Sequence, residues 1–154
     1  MTSNHTQALG GITVLSFEHA IAAPLCSRQL ADLGARVIKI ERPDGGDFAR
    51  HYDQRAKGQS SHFIWTNRGK QSLSLNFKSA EATGIIRRLL ERSDVLLQNL
   101  APGVIERLGL SWQTLHSEYP GLIHCSISGY GDSGPFAGRK AYDLLIQAES
   151  GFLS

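Results

Sequence analysis

Short apolar runs recur along this chain, and the segments between them carry helical character. Ile12-Thr13-Val14-Leu15-Ser16-Phe17 reads as a buried strand. A helical pattern containing Pro24, Leu30 and Leu33 follows and closes at Gly34, and Arg36-Val37-Ile38-Lys39-Ile40 is the next strand, ending at the turn residues Pro43-Asp44-Gly45-Gly46. Together these make a βαβ unit in about thirty residues, the length such units take. Ser72 to Asn76 alternates at period two and predicts a third strand. Ser79 is placed to cap a helix with Ile85, Ile86, Leu89 and Leu90 on its apolar face. Val95-Leu96-Leu97 predicts a strand that ends at Asn99; short helices follow over Pro102–Leu108 and Ser111–His116, and a last strand opens at Leu122. Strands alternating with helices predict an α/β fold with a doubly wound parallel sheet. The polar stretch from Asp47 to Lys70 predicts a long loop with one short helix.

In such sheets ligands sit outside the carboxyl ends of the strands. Those ends here carry Glu18 and His19, Glu41 and Arg42, Asn76 to Lys78, Asn99, and the loop from Gly129. The loop Gly129-Tyr130-Gly131-Asp132-Ser133-Gly134 fits G-x-G-x-x-G, but a dinucleotide site needs a helix to open at the third glycine. Pro135, Phe136, Ala137 and Gly138 make poor helix, so a loop beside a ligand is the better reading. Arg139, Lys140, Tyr142 and Asp143 follow it, a composition suited to an anionic ligand.

A net charge of +2 is too weak a bias to argue for nucleic acid, whose readers usually carry a concentrated basic face. Arg42, Lys70, Lys78, Arg107 and Lys140 stand singly at loop positions. They serve either surface solubility or, after folding, a compact polyanion. Cys26 and Cys125 have no metal-type spacing, which predicts buried reduced thiols and no metal site. Residues 1–10 are polar, predict a flexible N-terminus and lack an apolar signal core. No apolar run reaches membrane-span length, so no membrane contact and a cytoplasmic location are expected.

Four blocks together resemble one family. They are GITVLSFEHAIAAPLCSRQLADLGARVIKIER (Gly11 to Arg42), continuing as PDGGDFAR; NRGKQSLSLNFK (Asn67 to Lys78); DVLLQNLAPGVIERLGLSW (Asp94 to Trp112); and LIHCSISGYGDSGPF with AYDLLIQAESG. In order and spacing they are similar to the opening of family III coenzyme A transferases of the CaiB/BaiF type. Formyl-CoA and carnitine CoA transferases belong there, with α-methylacyl-CoA racemases as relatives. The resemblance implies a Rossmann-like, incomplete N-terminal part of a larger fold, with residues 11–154 a CoA-binding segment.

The resemblance also implies roles. Arg42 matches an arginine at the CoA nucleotide, Leu75 an apolar contact on the adenine side, and Lys78 a phosphate-side cation. Asn99, Leu100 and Arg107 match positions around the pantetheine and phosphates; read from the residues alone, Arg107 is a solvated helix charge. His19 and Ile21 fall in the first βα turn, and Lys140, Ala141, Tyr142 and Asp143 border the thioester. Tyr142 and Asp143 are supporting catalytic residues; read locally, Asp143 is also a helix cap. Racemases place a histidine base where Tyr142 stands, which favours transferase over a racemase or epimerase. Formyl-CoA transferases place a glutamine where this chain has Ile21, so a less polar acceptor is expected. Family chemistry runs through an aspartyl intermediate, moving CoA from an acyl-CoA to a carboxylic acid acceptor, with CoA a substrate and no tightly bound cofactor. Its nucleophilic aspartate is expected beyond Ser154, so the short chain alone is expected to be an inactive CoA-binding fragment. The full-length family enzyme is expected to be an interlocked homodimer.

Overall fold

The computed structural model of the chain describes residues 7–77 and 79–153. The expectations for residues 1–6 and for Lys78 lie outside the described residues. The elements in chain order are β1 (Thr13–Phe17), α1 (Ala22–Asp32), β2 (Arg36–Glu41), a 3₁₀ turn (Phe48–His51), α2 (Ser61–Asn67), β3 (Gln71–Ser74), α3 (Ala80–Leu90), β4 (Val95–Gln98), α4 (Val104–Arg107), α5 (Trp112–Glu118), β5 (Ile123–Ser126) and α6 (Asp143–Glu149).

The five strands form one sheet in the order β3-β2-β1-β4-β5, and every pairing is parallel. The chain builds outward from β1 through β2 to β3, then crosses back to lay β4 and β5 on the other side. Adjacent β1 and β4 therefore part at a topological switch point, with Phe17 in register with Gln98. This is the doubly wound α/β sheet expected from the sequence.

Alternating side chains divide the core between two faces. Leu15, Phe17, Ile38, Ile40 and Leu96 pack with Ala82, Ile86 and Leu90 of α3, and with Ile105, Leu110 and Leu115. The other face is smaller: Val14, Val37 and Leu97 meet Ala23 and Ala35, with Cys26, Leu30 and Cys125 against them. Cys26 and Cys125 are free and half-buried. Leu9 packs against this second cluster, and its N–H donates to the Leu33 carbonyl, which ties the described end of the N-terminal segment to the end of α1.

Local signals set most element ends. Ser60 and Ser111 cap α2 and α5 by accepting from Phe63 N–H and Thr114 N–H. Ser79 precedes α3 without a side-chain cap bond. α1 begins two residues before Pro24, at Ala22. Among the described residues, no helix is long and apolar enough to cross a membrane.

Candidate active-site rim

The α1 face of the sheet changes character toward the strands' carboxyl ends. Val14 and Val37 are apolar, but two residues further along, the same face carries Ser16 and Lys39, and then Glu18 and Glu41. All four are buried, so each needs a partner. Lys39 Nζ lies 2.6 Å from Asp47 Oδ2, 2.8 Å from Asn67 Oδ1 and 3.9 Å from Glu18 Oε1. Lys70 Nζ reaches Glu18 Oε1 at 2.6 Å, the Pro24 carbonyl at 2.8 Å and Asn67 Oδ1 at 3.1 Å. The hydroxyls of Ser16 and Ser27 both donate to Glu18 Oε2. Arg50 grips Glu41 through two bonds of 2.9 and 2.7 Å, and Ser72 and the Asp47 N–H add two more.

Lys39, Lys70 and Arg50 thus balance Glu18, Asp47 and Glu41. Phe63 of α2 covers the group, with the Arg50 guanidinium 3.8 Å and Lys39 Nζ 5.1 Å from its ring centre. A cavity of about 200 Å³ opens beside them. Burial pushes the Lys70 ammonium down to about 8 against the pull of Glu18. Burial also acts to raise Glu41, but its bonds to Arg50, Ser72 and the Asp47 amide outweigh that and hold it at about 2.

This ionic group lies under the first βα turn. Asp47 Oδ1 accepts from the Ala20 N–H at 3.1 Å. Across the switch point, Asn99 Oδ1 accepts from the His19 N–H and its Nδ2 donates to the His19 carbonyl, both at 3.0 Å. Ala20 sits in the left-handed region at φ 64°. Ile21 precedes α1 and gives it no capping side chain. The His19 ring lies 5.0 Å from Phe48, the first of a run continuing to Tyr52 and His62. Burial lowers the His19 pKa, with the Asp47 carboxylate opposing it, which favours the neutral ring at pH 7.

The other residues singled out by sequence fall into three groups. Arg42 and Arg107 are exposed; Arg42 Nε donates to the Gly46 carbonyl, and Arg107 closes α4. Among the described residues, neither they nor Lys140 pairs with a carboxylate, whereas Arg50, Arg68 and Arg87 do. Leu75 is buried in the core and Leu100 packs against it. Lys140, Ala141, Tyr142 and Asp143 are exposed beside the glycine loop. A Cβ at Gly129 would stand 2.3 Å from Ala141 Cβ and 2.7 Å from Ile146 Cδ1, so only glycine allows this loop to close on α6. Asp143 does not cap α6. It is the first helical residue, and its Oδ2 accepts from Gln147 Nε2. No helix opens at Gly134, as expected from Pro135.

The structure thus joins His19, Ile21 and Asn99 around one turn, with Arg42 near enough for its charge to act on the His19 ring, and gathers the residues from Ala141 to Asp143 beside Gly129. Among the described residues, no hydrogen bond links the two groups. Lys39 and Asp47 were missed from sequence, and Lys70, singled out there as a solvated or polyanion-binding cation, is instead buried against Glu18. Lys70 is no surface cation: its side chain is 2% exposed. A lysine within the buried run Val37-Ile38-Lys39-Ile40 was the available signal.

The α/β frame has counterparts in known proteins. The chain is 41% identical to an acetyl-CoA:oxalate CoA-transferase of Acetobacter aceti over 93% of its own length and 37% of the relative's. It is 37% identical to a succinate–glutarate CoA-transferase of Agrobacterium fabrum, covering 98% of this chain and 40% of that one. A crystal structure of a CaiB/BaiF family protein from Brucella suis superimposes with a TM-score of 0.88 at 35% identity, over 95% of this chain and 40% of that one. The chain thus spans less than half the length of these relatives. The family model described as CoA-transferase family III matches residues 9–154, which takes in every strand, the turn at His19 and the glycine loop; the chain belongs to that family.

Proposed function

We propose that this chain is the CoA-binding N-terminal portion of an enzyme that moves CoA from an acyl-CoA to a carboxylic acid. The observation that carries the reading is the rim itself. The ends of β1 and β4 part at the switch point; Arg42 follows β2 and Arg107 closes α4 after β4, both exposed and, among the described residues, without a carboxylate partner. CoA carries a pyrophosphate and a 3′-phosphate, for which arginine's planar donor fork is well shaped. Leu75 and Leu100 back the adenine and pantetheine sides, Lys78 adds a phosphate-side cation, and Lys140 and Ala141 border the thioester. His19, Ile21, Tyr142 and Asp143 line the reacting end.

In the proposed reaction an enzyme aspartate attacks the thioester carbonyl, giving a mixed anhydride and CoA thiolate. The thiolate attacks the aspartyl carbonyl, releasing the first carboxylic acid and leaving an aspartyl-CoA thioester. The acceptor carboxylate then attacks that thioester, and the expelled thiolate takes the acceptor's acyl group from the new anhydride, freeing the aspartate. Asp143 is not assigned as nucleophile, and no residue of this chain is. The 154-residue chain is expected to bind CoA without transferring it. A phenol such as Tyr142 is a poorer α-proton base than the histidine of the racemases, which favours transfer over racemisation.

Calorimetric titration with CoA tests the reading. Arg42→Ala and Arg107→Ala are each expected to weaken binding about tenfold, the effect of losing one charge-assisted bond. Arg92→Ala is the control. Arg92 follows α3 and precedes β4, so it lies at the opposite rim. Equal affinities in all three variants would overturn the proposal.

A further inference from the structure

Resting on that CoA reading, we infer that Asp47 and Asn99 are positioning residues, which hold the His19-Ala20-Ile21 turn in the shape the ligand needs and do not themselves touch it. Two side chains, 27 and 80 positions away in sequence, bond backbone atoms of consecutive turn residues. The turn they hold is one an alanine resists. At φ 64° the Cβ of Ala20 crowds its own carbonyl, and such a conformation persists where its surroundings over-determine it. Three side-chain-to-backbone bonds provide that determination.

The geometry behind them is rigid. Asp47 Oδ1 accepts from both Ala20 N–H and Ala49 N–H, while Oδ2 is fixed by Lys39, so the carboxylate cannot rotate without breaking a bond. Lys39 is anchored in turn by Asn67 of α2. Three cations against three carboxylates leave the buried group electrically closed, which disfavours its serving as a second anion site. Both ends of the Asn99 amide are engaged by His19. With one bond at each end, the amide is committed to the turn, and it is through the turn that position 99 is inferred to act on a ligand.

The test compares the chain with its Asn99→Ala, Ala20→Gly and doubly substituted forms, by amide hydrogen exchange and by CoA titration. Asn99→Ala is expected to speed exchange at the His19 amide about tenfold, the loss of one net hydrogen bond, while the Leu15 and Leu96 amides keep their protection. CoA affinity is expected to fall by a similar factor. Ala20→Gly in that background is expected to recover part of the affinity, because glycine adopts the left-handed turn without strain.

Unchanged His19 exchange in Asn99→Ala overturns the inference. So does a loss of affinity that Ala20→Gly leaves untouched, since that marks a direct contact from Asn99. If Asn99→Ala does not fold, Asn99→Asp keeps the acceptor for the His19 N–H and removes the donor to its carbonyl; a smaller loss with the same glycine rescue is expected, and the same two results overturn it. Failure of the unsubstituted chain to bind CoA overturns the ligand reading alone. The exchange comparison then still decides whether Asn99 holds the turn.

Discussion

Replacing Lys39 with methionine isolates the contribution of the buried ionic group. Lys39 is 1% exposed, and its ammonium meets Asp47 at 2.6 Å and Asn67 at 2.8 Å. Methionine keeps most of the aliphatic stem and removes the charge, which leaves Glu18, Asp47 and Glu41 facing only Lys70 and Arg50. Removing one member of a buried pair costs about 3–5 kcal/mol, chiefly because the other charge remains desolvated. Asp47 retains two backbone N–H donors, from Ala20 and Ala49, which places this case near the lower end, at about 3 kcal/mol. Against a typical domain stability of about 5–15 kcal/mol, that is a large fraction. Urea unfolding at pH 7 is the assay, read as a fall in midpoint at unchanged slope. The exposed Arg68–Asp32 pair supplies the contrast: Asp32→Asn is expected to leave the midpoint in place. A loss below about 1 kcal/mol for Lys39→Met, the range of solvated ion pairs, would show that the buried group contributes no more than a surface pair.

Other consequences follow from the same contacts. The Glu41 pKa is depressed in the fold, from 4.5 to about 2, so its stabilisation is complete above pH 4.5 and disappears as pH falls toward 2. Urea midpoints should show Glu41→Gln about 2–3 kcal/mol less stable at pH 7, allowing for the partial exposure of Arg50, with the gap narrowing steadily below pH 4.5; a constant gap would contradict this. Gly129→Ala forces a methyl into Ala141 and Ile146, and a thermal melt should register about 1–3 kcal/mol of overpacking. An unshifted melt would show that the loop does not close on α6. The Cys26 thiol is pushed up by burial and, secondarily, by Cys125, so iodoacetamide should modify it more slowly at pH 8 in the folded chain than in urea. Equal rates would place it in solvent.

The sheet was legible because period-two and apolar runs are local signals. Each expected strand appears within about two residues of its observed ends, and Ser111, expected to open a helix, stands one residue before α5 as its cap, whereas Ser79, expected as a cap, makes no side-chain cap bond. The turn chemistry at Pro135 also read correctly, since no helix opens there. The ionic group was illegible for the opposite reason: its members come from β1, β2, the segment after β2, α2 and the approach to β3. Glu18, Asp47 and Lys70 look like ordinary polar residues until the fold buries them together. The pairing of Asn99 with His19 was illegible for the same reason, because only the β1–β4 register sets the two side by side, where His19 bonds both ends of the amide. Asp143 failed as a cap because α6 starts at that residue, one position earlier than a capping carboxylate allows.

The most direct test of the rim as the CoA site is a nitrogen–proton correlation titration of the isotopically labelled chain with CoA. CoA is expected to shift the amides of His19 to Ile21, Arg42 to Asp47 and Asn99 to Arg107, and to leave the opposite rim around Arg88 and Arg92 unmoved. Shifts centred on Arg88 and Arg92, or a spectrum unchanged at saturating CoA, would contradict that placement.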